Sequence, residues 1–132
     1  MGNQAFQRKI AAVESLRNAA GPEAALDGLR KALRDRNNFV VSKAAKVAAG
    51  WKLEPAIQDL IAAFDRFLMD AAKSDPQCWA KIAIAKALKD LGHRDPQVFL
   101  RGIGHFQFEP VWGGRADTAA PLRAACAMAL AD

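Results

Sequence analysis

Apolar side chains recur along this chain at the spacing of a single helix face, and the pattern is interrupted by short polar or Gly/Pro breaks. Phe6, Ile10, Val13 and Leu16 form one stripe and predict a first helix over about residues 4–19. Gly21-Pro22 ends it and opens the next, because glycine closes helices cheaply and proline is tolerated at a first helical position. A second helix over about 22–35 carries Ala25, Leu26, Leu29 and Leu33, and a third over about 38–50 carries Val40, Val41, Ala44, Val47 and Ala48. The strongest stripe, Ile57, Leu60, Ile61, Phe64, Phe67 and Leu68, predicts a fourth helix over about 55–73. Further helices are expected over about 76–91, from Pro96 through Ile103, and from Thr118 to the last residue, about seven in all. The expected fold class is all-α.

The predicted helices also repeat in pairs. Lys43-Ala44-Ala45, Lys81-Ile82-Ala83 and Arg123-Ala124-Ala125 hold matching places in three of them, at intervals of 38 and 42 residues. Six residues before each cation stands a short polar side chain, Asn37, Asp75 or Asp117, suited to capping the helix that follows. The partner helices open at Pro22, Pro55 and Pro96, at intervals of 33 and 41 residues. Two helices per unit of about 40 residues is the spacing of HEAT and armadillo solenoids. On these residues the chain resembles the HEAT-like repeat family, in its short bacterial form. The resemblance covers about residues 22–132, as repeats 22–52, 54–92 and 95–132, with residues 1–20 as an N-terminal capping helix. It implies one domain, an α-solenoid of antiparallel helix pairs. Two places depart from the pattern: Asn37 replaces an aspartate, and a long insertion precedes the last helix. That last helix, with Pro121, Leu122, Cys126, Met128 and Leu130, has almost no polar outer face. The expectation is a piece of a longer array or an end covered by another copy of the chain, against a natural terminus with an exposed alanine face.

Composition agrees with closely stacked helices, since 29 alanines stand against no tyrosine in 132 residues. No apolar run reaches the roughly 20 residues a spanning helix needs, so no membrane role and a cytoplasmic setting are expected. Cys78 and Cys126 are read as two buried thiols in preference to a disulfide. The net charge of +5 suits an acidic partner, but 19 cations interleaved with 14 anions also describe an ordinary solvated surface.

The resemblance places the second helix of each pair on the concave side, where partners of such proteins usually sit. Lys43, Lys46, Lys81, Lys86 and Lys89 lie on those helices, and Arg123 extends the row. Trp79 and Lys86 are seven positions apart and fall on one line of a helix. An aromatic beside a cation can stack on a base while holding a phosphate; alternatively, Trp79 packs on the next repeat and the lysines are solvated. The Asp75/Lys81 and Asp117/Arg123 spacings read first as structural pairs, since the resemblance implies an aspartate–cation ladder between repeats. The segment from Gly104 to Arg115 holds Phe106, Phe108 and Trp112 beside Pro110 and Gly113-Gly114, so it is no regular helix. It is either a contact loop, with Trp112, His105 and Arg115 as its candidates, or a plug folded over the last repeat.

Catalytic readings are weak. His105 and Glu109 are four apart with no third ligand near, and Cys78 and His93 have no orienting acid. No Gly-x-x-x-x-Gly-Lys loop occurs. The expected function is a scaffold without enzymatic activity, metal or cofactor that holds a protein or peptide. The alternatives are a nucleic-acid-binding protein resembling HEAT-like alkylpurine DNA glycosylases, or an accessory protein resembling bilin lyases.

Overall fold

Each helix begins where the sequence offers the backbone a start. A computed structural model describes residues 2–132 of the chain. Helix α1 spans Gly2–Ser15 and tightens into a single 3-10 turn at Leu16–Asn18. Pro22 then opens α2, Pro22–Leu33. Asn37 caps α3, Asn38–Gly50: its side-chain oxygen accepts from the Phe39 and Val40 N–H groups at 2.8 and 3.1 Å. A short turn at Glu54–Ala56 leads into α4, Ile57–Phe67, whose Leu60, Ala63, Phe64 and Phe67 are buried.

Helix α4 is shorter than its periodicity predicts. The apolar stripe gives out at exposed Met69, Asp70 adopts a left-handed φ of +49°, and a single-turn helix α5, Ala71–Ser74, follows. The buried Lys81 ammonium donates to the Phe67 carbonyl at 3.0 Å and so satisfies one of the carbonyls this early end leaves without an intrahelical partner. Helix α6, Trp79–Asp90, starts three residues later than expected, after a turn at Pro76–Cys78 in which Gln77 and Cys78 both stand at φ +59°. Helix α7 is Gln97–Ile103 and α8 is Ala120–Ala131.

The insertion between α7 and α8 corrects the purely helical expectation. Strands β1, Phe108–Val111, and β2, Gly114–Asp117, pair antiparallel, with Phe108 opposite Asp117 and Val111 opposite Gly114. Trp112 and Gly113 make the turn, and Gly113 supplies the positive φ, +84°, that such a tight connection requires. The described residues are thus mostly helical, with eight α-helices and one small two-stranded sheet.

Helices α1, α3, α6 and α8 pack side by side in that order, with α3 on α6 the most extensive contact. Behind them α2 packs on α4, held by Arg30, which donates to Asp59 and to the Pro55 carbonyl, both at 3.1 Å. Arg101 ties α7 to α4 through both oxygens of Asp65, at 2.8 and 3.2 Å. The two rows meet at α2 with α3, α4 with α6, and α7 with α8. Between them lie Leu29, Leu33, Val40, Leu60, Phe64, Phe67, Ile84, Leu88, Phe99 and Leu122, all fully or almost fully buried. Burying a side chain of this size contributes about 1.5–3 kcal/mol. Buried alanines on α3 and α6, among them Ala44, Ala45, Ala48, Ala80 and Ala87, leave room for the close approach of those two helices. None of the described helices is long and apolar enough to cross a membrane.

Candidate interaction face on α3 and α6

Because α3 and α6 bury Val40, Ala44, Val47, Ile84 and Leu88, the helical period turns Phe39, Ser42 and Lys46 outward on one and Trp79, Ile82 and Lys86 outward on the other. These six residues and Ala83 line a cleft of about 330 Å³. A second cleft, of about 380 Å³, shares Lys46, Ala83 and Lys86 with the first and continues past Ala49, Gly50 and Ala87 to Asp90. Residues along it keep the same order on both helices, so α3 and α6 run parallel and their seam is one continuous groove. At its N-terminal end the Phe39 and Trp79 rings meet at 5.8 Å between centroids, tilted by 53°. Phe6 of α1 also meets the Phe39 ring, at 5.8 Å and tilted by 54°. Trp79 is nonetheless 48% exposed. Lys46 and Lys86 are exposed on the two walls, and among the described residues neither is in an ion pair.

The expected row of basic contact residues is broken up. Lys81 is the clearest correction: it is 0% exposed, paired with Asp75 at 3.0 Å, and cannot touch a partner. It is the third residue of α6, whereas Lys43 is the sixth of α3. In the register that matches Phe39 with Trp79 and Lys46 with Lys86, forty positions apart, Lys81 therefore stands level with buried Val41, not with Lys43. Lys43 accordingly lies on the surface, 5.7 Å from the Phe39 ring centroid, with its ammonium 3.5 Å from Glu14 of α1. The Glu14 carboxyl is held below its ordinary range, first by the hydrogen bond from Arg17. Lys89 turns to Asp132 at 3.4 Å. Arg123 reaches Asp117 at 2.6 Å and the His105 carbonyl at 2.9 Å, and its guanidinium lies 4.0 Å from the Phe106 centroid. Of the residues singled out in the sequence, Trp79, Lys46 and Lys86 are the ones brought together with open surface between them.

Sequence reasoning passes over Phe39. It stands in the first turn of the predicted third helix, outside the apolar set Val40, Val41, Ala44, Val47 and Ala48. The available signal was its distance of forty positions from Trp79, the same distance that separates Lys46 from Lys86.

His105, Trp112 and Arg115 belong to a different construction. The base of the hairpin is pinned by Gln107, which is 3% exposed. Its Nε2 donates to the Asp75 carbonyl and to Glu109, and its Oε1 meets Cys78 Sγ at 3.2 Å and His105 Nε2 at 2.8 Å. Glu109 also accepts from the Gln77 N–H at 2.7 Å and from the Thr118 hydroxyl. Burial pushes the Glu109 carboxyl up, but the Thr118, Gln77 and Gln107 hydrogen bonds outweigh it and leave the group below its usual range. Asp117 is held well below the carboxylate range, first by Arg123 and then by the Gln107 N–H. The far end of the hairpin is free: Trp112 is 100% exposed at its tip, and Arg115 bends back to the Phe108 carbonyl at 3.3 Å. The segment is therefore fixed at its root and projects at its turn.

The same cluster bears on nucleophilic chemistry. Burial pushes the Cys78 thiol up to about 11, so the thiolate is scarce at neutral pH. His93, the histidine weighed as its partner, packs instead against Phe99 at 6.2 Å. Among the described residues no three His, Cys, Asp or Glu side chains converge as a metal site. In comparisons with known proteins, no family model matches the chain, and no curated protein or solved structure shows significant similarity to it.

Proposed function

We propose that the chain is a HEAT-like helical-repeat module, a short solenoid without catalytic activity or cofactor, that holds a protein or peptide partner in the groove between α3 and α6. The observation that carries this reading is half-exposed Trp79 packed on Phe39 at the head of a cleft walled by Lys46 and Lys86, which are in no ion pair among the described residues. Exposed aromatics that already pack on a neighbour lose little freedom on binding, which is why such residues anchor interfaces. The side-by-side order of α1, α3, α6 and α8, backed by α2, α4 and α7, supports the repeat architecture. Two free, buried cysteines support the cytoplasmic setting.

Nucleic acid is the second reading, because Trp79 and Lys86 could also stack a base and hold a phosphate. A phosphate chain favours a row of free cations, however, and Lys43, Lys81, Lys89 and Arg123 are already engaged by carboxylates. The resemblances to DNA glycosylases and bilin lyases gain no residue from this geometry.

Affinity capture on the immobilised protein tests the proposal. Wild-type protein is expected to retain a partner that survives nuclease treatment, and a Trp79→Ala/Lys86→Glu variant to retain at least tenfold less. Equal capture by the variant places binding on another face. Loss of the captured material under nuclease makes nucleic acid the ligand.

A further inference from the structure

We infer that the groove between α3 and α6 is built for a short acidic peptide segment, with an aromatic or aliphatic side chain set against Phe39 and Trp79 and carboxylates reaching Lys46 and Lys86. This rests on the proposal that the groove is the interaction face, and it specifies the chemistry of what enters.

Charge is the first argument. Lys46 and Lys86 stand at matched positions on parallel helices, one on each wall of both clefts. Packed helices lie about 8–10 Å apart, so the two ammonium groups bracket whatever lies along the seam. Long lysine stems can lie along apolar walls while the charge stays in water, which leaves both cations at the rim. Among the described residues neither is in an ion pair, so both ammonium groups are open to a bound carboxylate.

Shape is the second. Besides the aromatics, the lysines, Ile82 and Asp90, the two clefts are lined by Ser42, Ala49, Gly50, Ala83 and Ala87, all small. A backbone can settle there, with one apolar side chain reaching the half-exposed Trp79. From Phe39 to Gly50 the seam runs about 16 Å, the length of about five extended residues.

Polarity is the third. Phe39 and Trp79 lie at the amino ends of α3 and α6, while Asp90 closes the opposite end, one turn beyond Lys86. The apolar side chain of the ligand therefore sits at the aromatic end, its carboxylates at the lysines midway along the seam, and a neutral or basic part toward Asp90. A nucleic-acid strand would carry negative charge along its full length, onto Asp90 as well.

Selection from a random displayed-peptide library on the intact chain decides the matter, with a pool of single-stranded oligonucleotides offered in parallel. The bait proteins are wild type, Trp79→Ala and Lys46→Glu/Lys86→Glu, each checked by circular dichroism for an unchanged helical spectrum. The expected wild-type winners are rich in Asp and Glu around a Phe, Trp or Leu, and synthetic versions bind the double lysine variant about a hundredfold more weakly. The same variant is expected to select basic peptides instead. Winners that depend on Trp79 but ignore the lysine reversal overturn the acidic specificity and leave the interaction face standing. Winners indifferent to both variants, or none at all, overturn both. Oligonucleotides enriched in a Trp79-dependent manner overturn the peptide in favour of nucleic acid.

Discussion

The Asp75 carboxylate accepts four hydrogen bonds, from Asn38 Nδ2 at 2.8 Å, the Ala80 and Lys81 N–H groups at 2.9 and 3.0 Å, and Lys81 Nζ at 3.0 Å. Lys81 has less to fall back on, because without Asp75 its ammonium keeps only the Phe67 carbonyl. Removing one partner of a buried pair costs about 3–5 kcal/mol when it strands the other charge. Asp75→Ala is therefore expected to lower the unfolding free energy by about that much in urea titrations. Lys81→Met is expected to cost less, since three donors still support the carboxylate; equal losses would contradict the unequal roles. The spacing of six residues made this pair legible in the sequence as structural. That Lys81 lies wholly inside could not be read there, because burial is set by where α6 begins, and two left-handed residues at Gln77 and Cys78 delay that start. The cysteines give a second test at this scale. Burial raises both thiols to about 11, so neither Cys78 nor Cys126 is expected to react with a disulfide reagent at pH 8 in the native protein, and both are expected to react in denaturant.

Periodicity found most of the helices, because each carries a stripe of buried residues that repeats over several turns. It overran α4, whose stripe contains no stop signal before Met69, and it missed the hairpin. Strands of four residues are too short to establish alternation, and Pro110 within β1 argues against a strand. The usable sign was Gly113-Gly114 between two short segments. The hairpin's anchorage should respond to acid. The Asp117 carboxyl is depressed in the folded state, so its contribution is complete above the ordinary aspartate value near about 4 and is lost as pH falls below it. Protection of the Gln107 and Ala119 amides, which both donate to Asp117, should then fall upon acidification below that value. In Asp117→Asn the lower protection should already be present at neutral pH. Unchanged protection in that variant would place the anchorage elsewhere. The packing of α7 on α8 depends on Gly102, where an added Cβ would overlap Cys126 Sγ and stand 3.3 Å from Phe64. Gly102→Ala should destabilise by about 1–3 kcal/mol through overpacking, despite alanine's better helix propensity. Adding Cys126→Ala should recover much of that loss; additive costs in the double variant would contradict the overlap.

Across the whole molecule, the expected row of cations dissolves into internal pairs and leaves a narrower surface. The sequence could show that cations recur at intervals of 38 and 42 residues, at Lys43, Lys81 and Arg123, but not which of them would find carboxylates. Glu14, Asp117 and Asp132, which take up Lys43, Arg123 and Lys89, come from other helices, strands or the chain's last residue. Trp79 and Lys86 could be linked by their seven-residue spacing, whereas Phe39 enters only when α3 and α6 lie side by side. We propose that this seam, and not the row of α2, α4 and α7 behind it, is where a partner binds. The most direct test is photo-crosslinking in cells, with a photoreactive side chain placed at Ile82 in the seam or at exposed Gln58 on α4. Crosslinked partner at position 82, suppressed by Lys46→Glu/Lys86→Glu, with little or none at position 58, is the predicted result. Comparable crosslinking at both positions, or at position 58 alone, would contradict it.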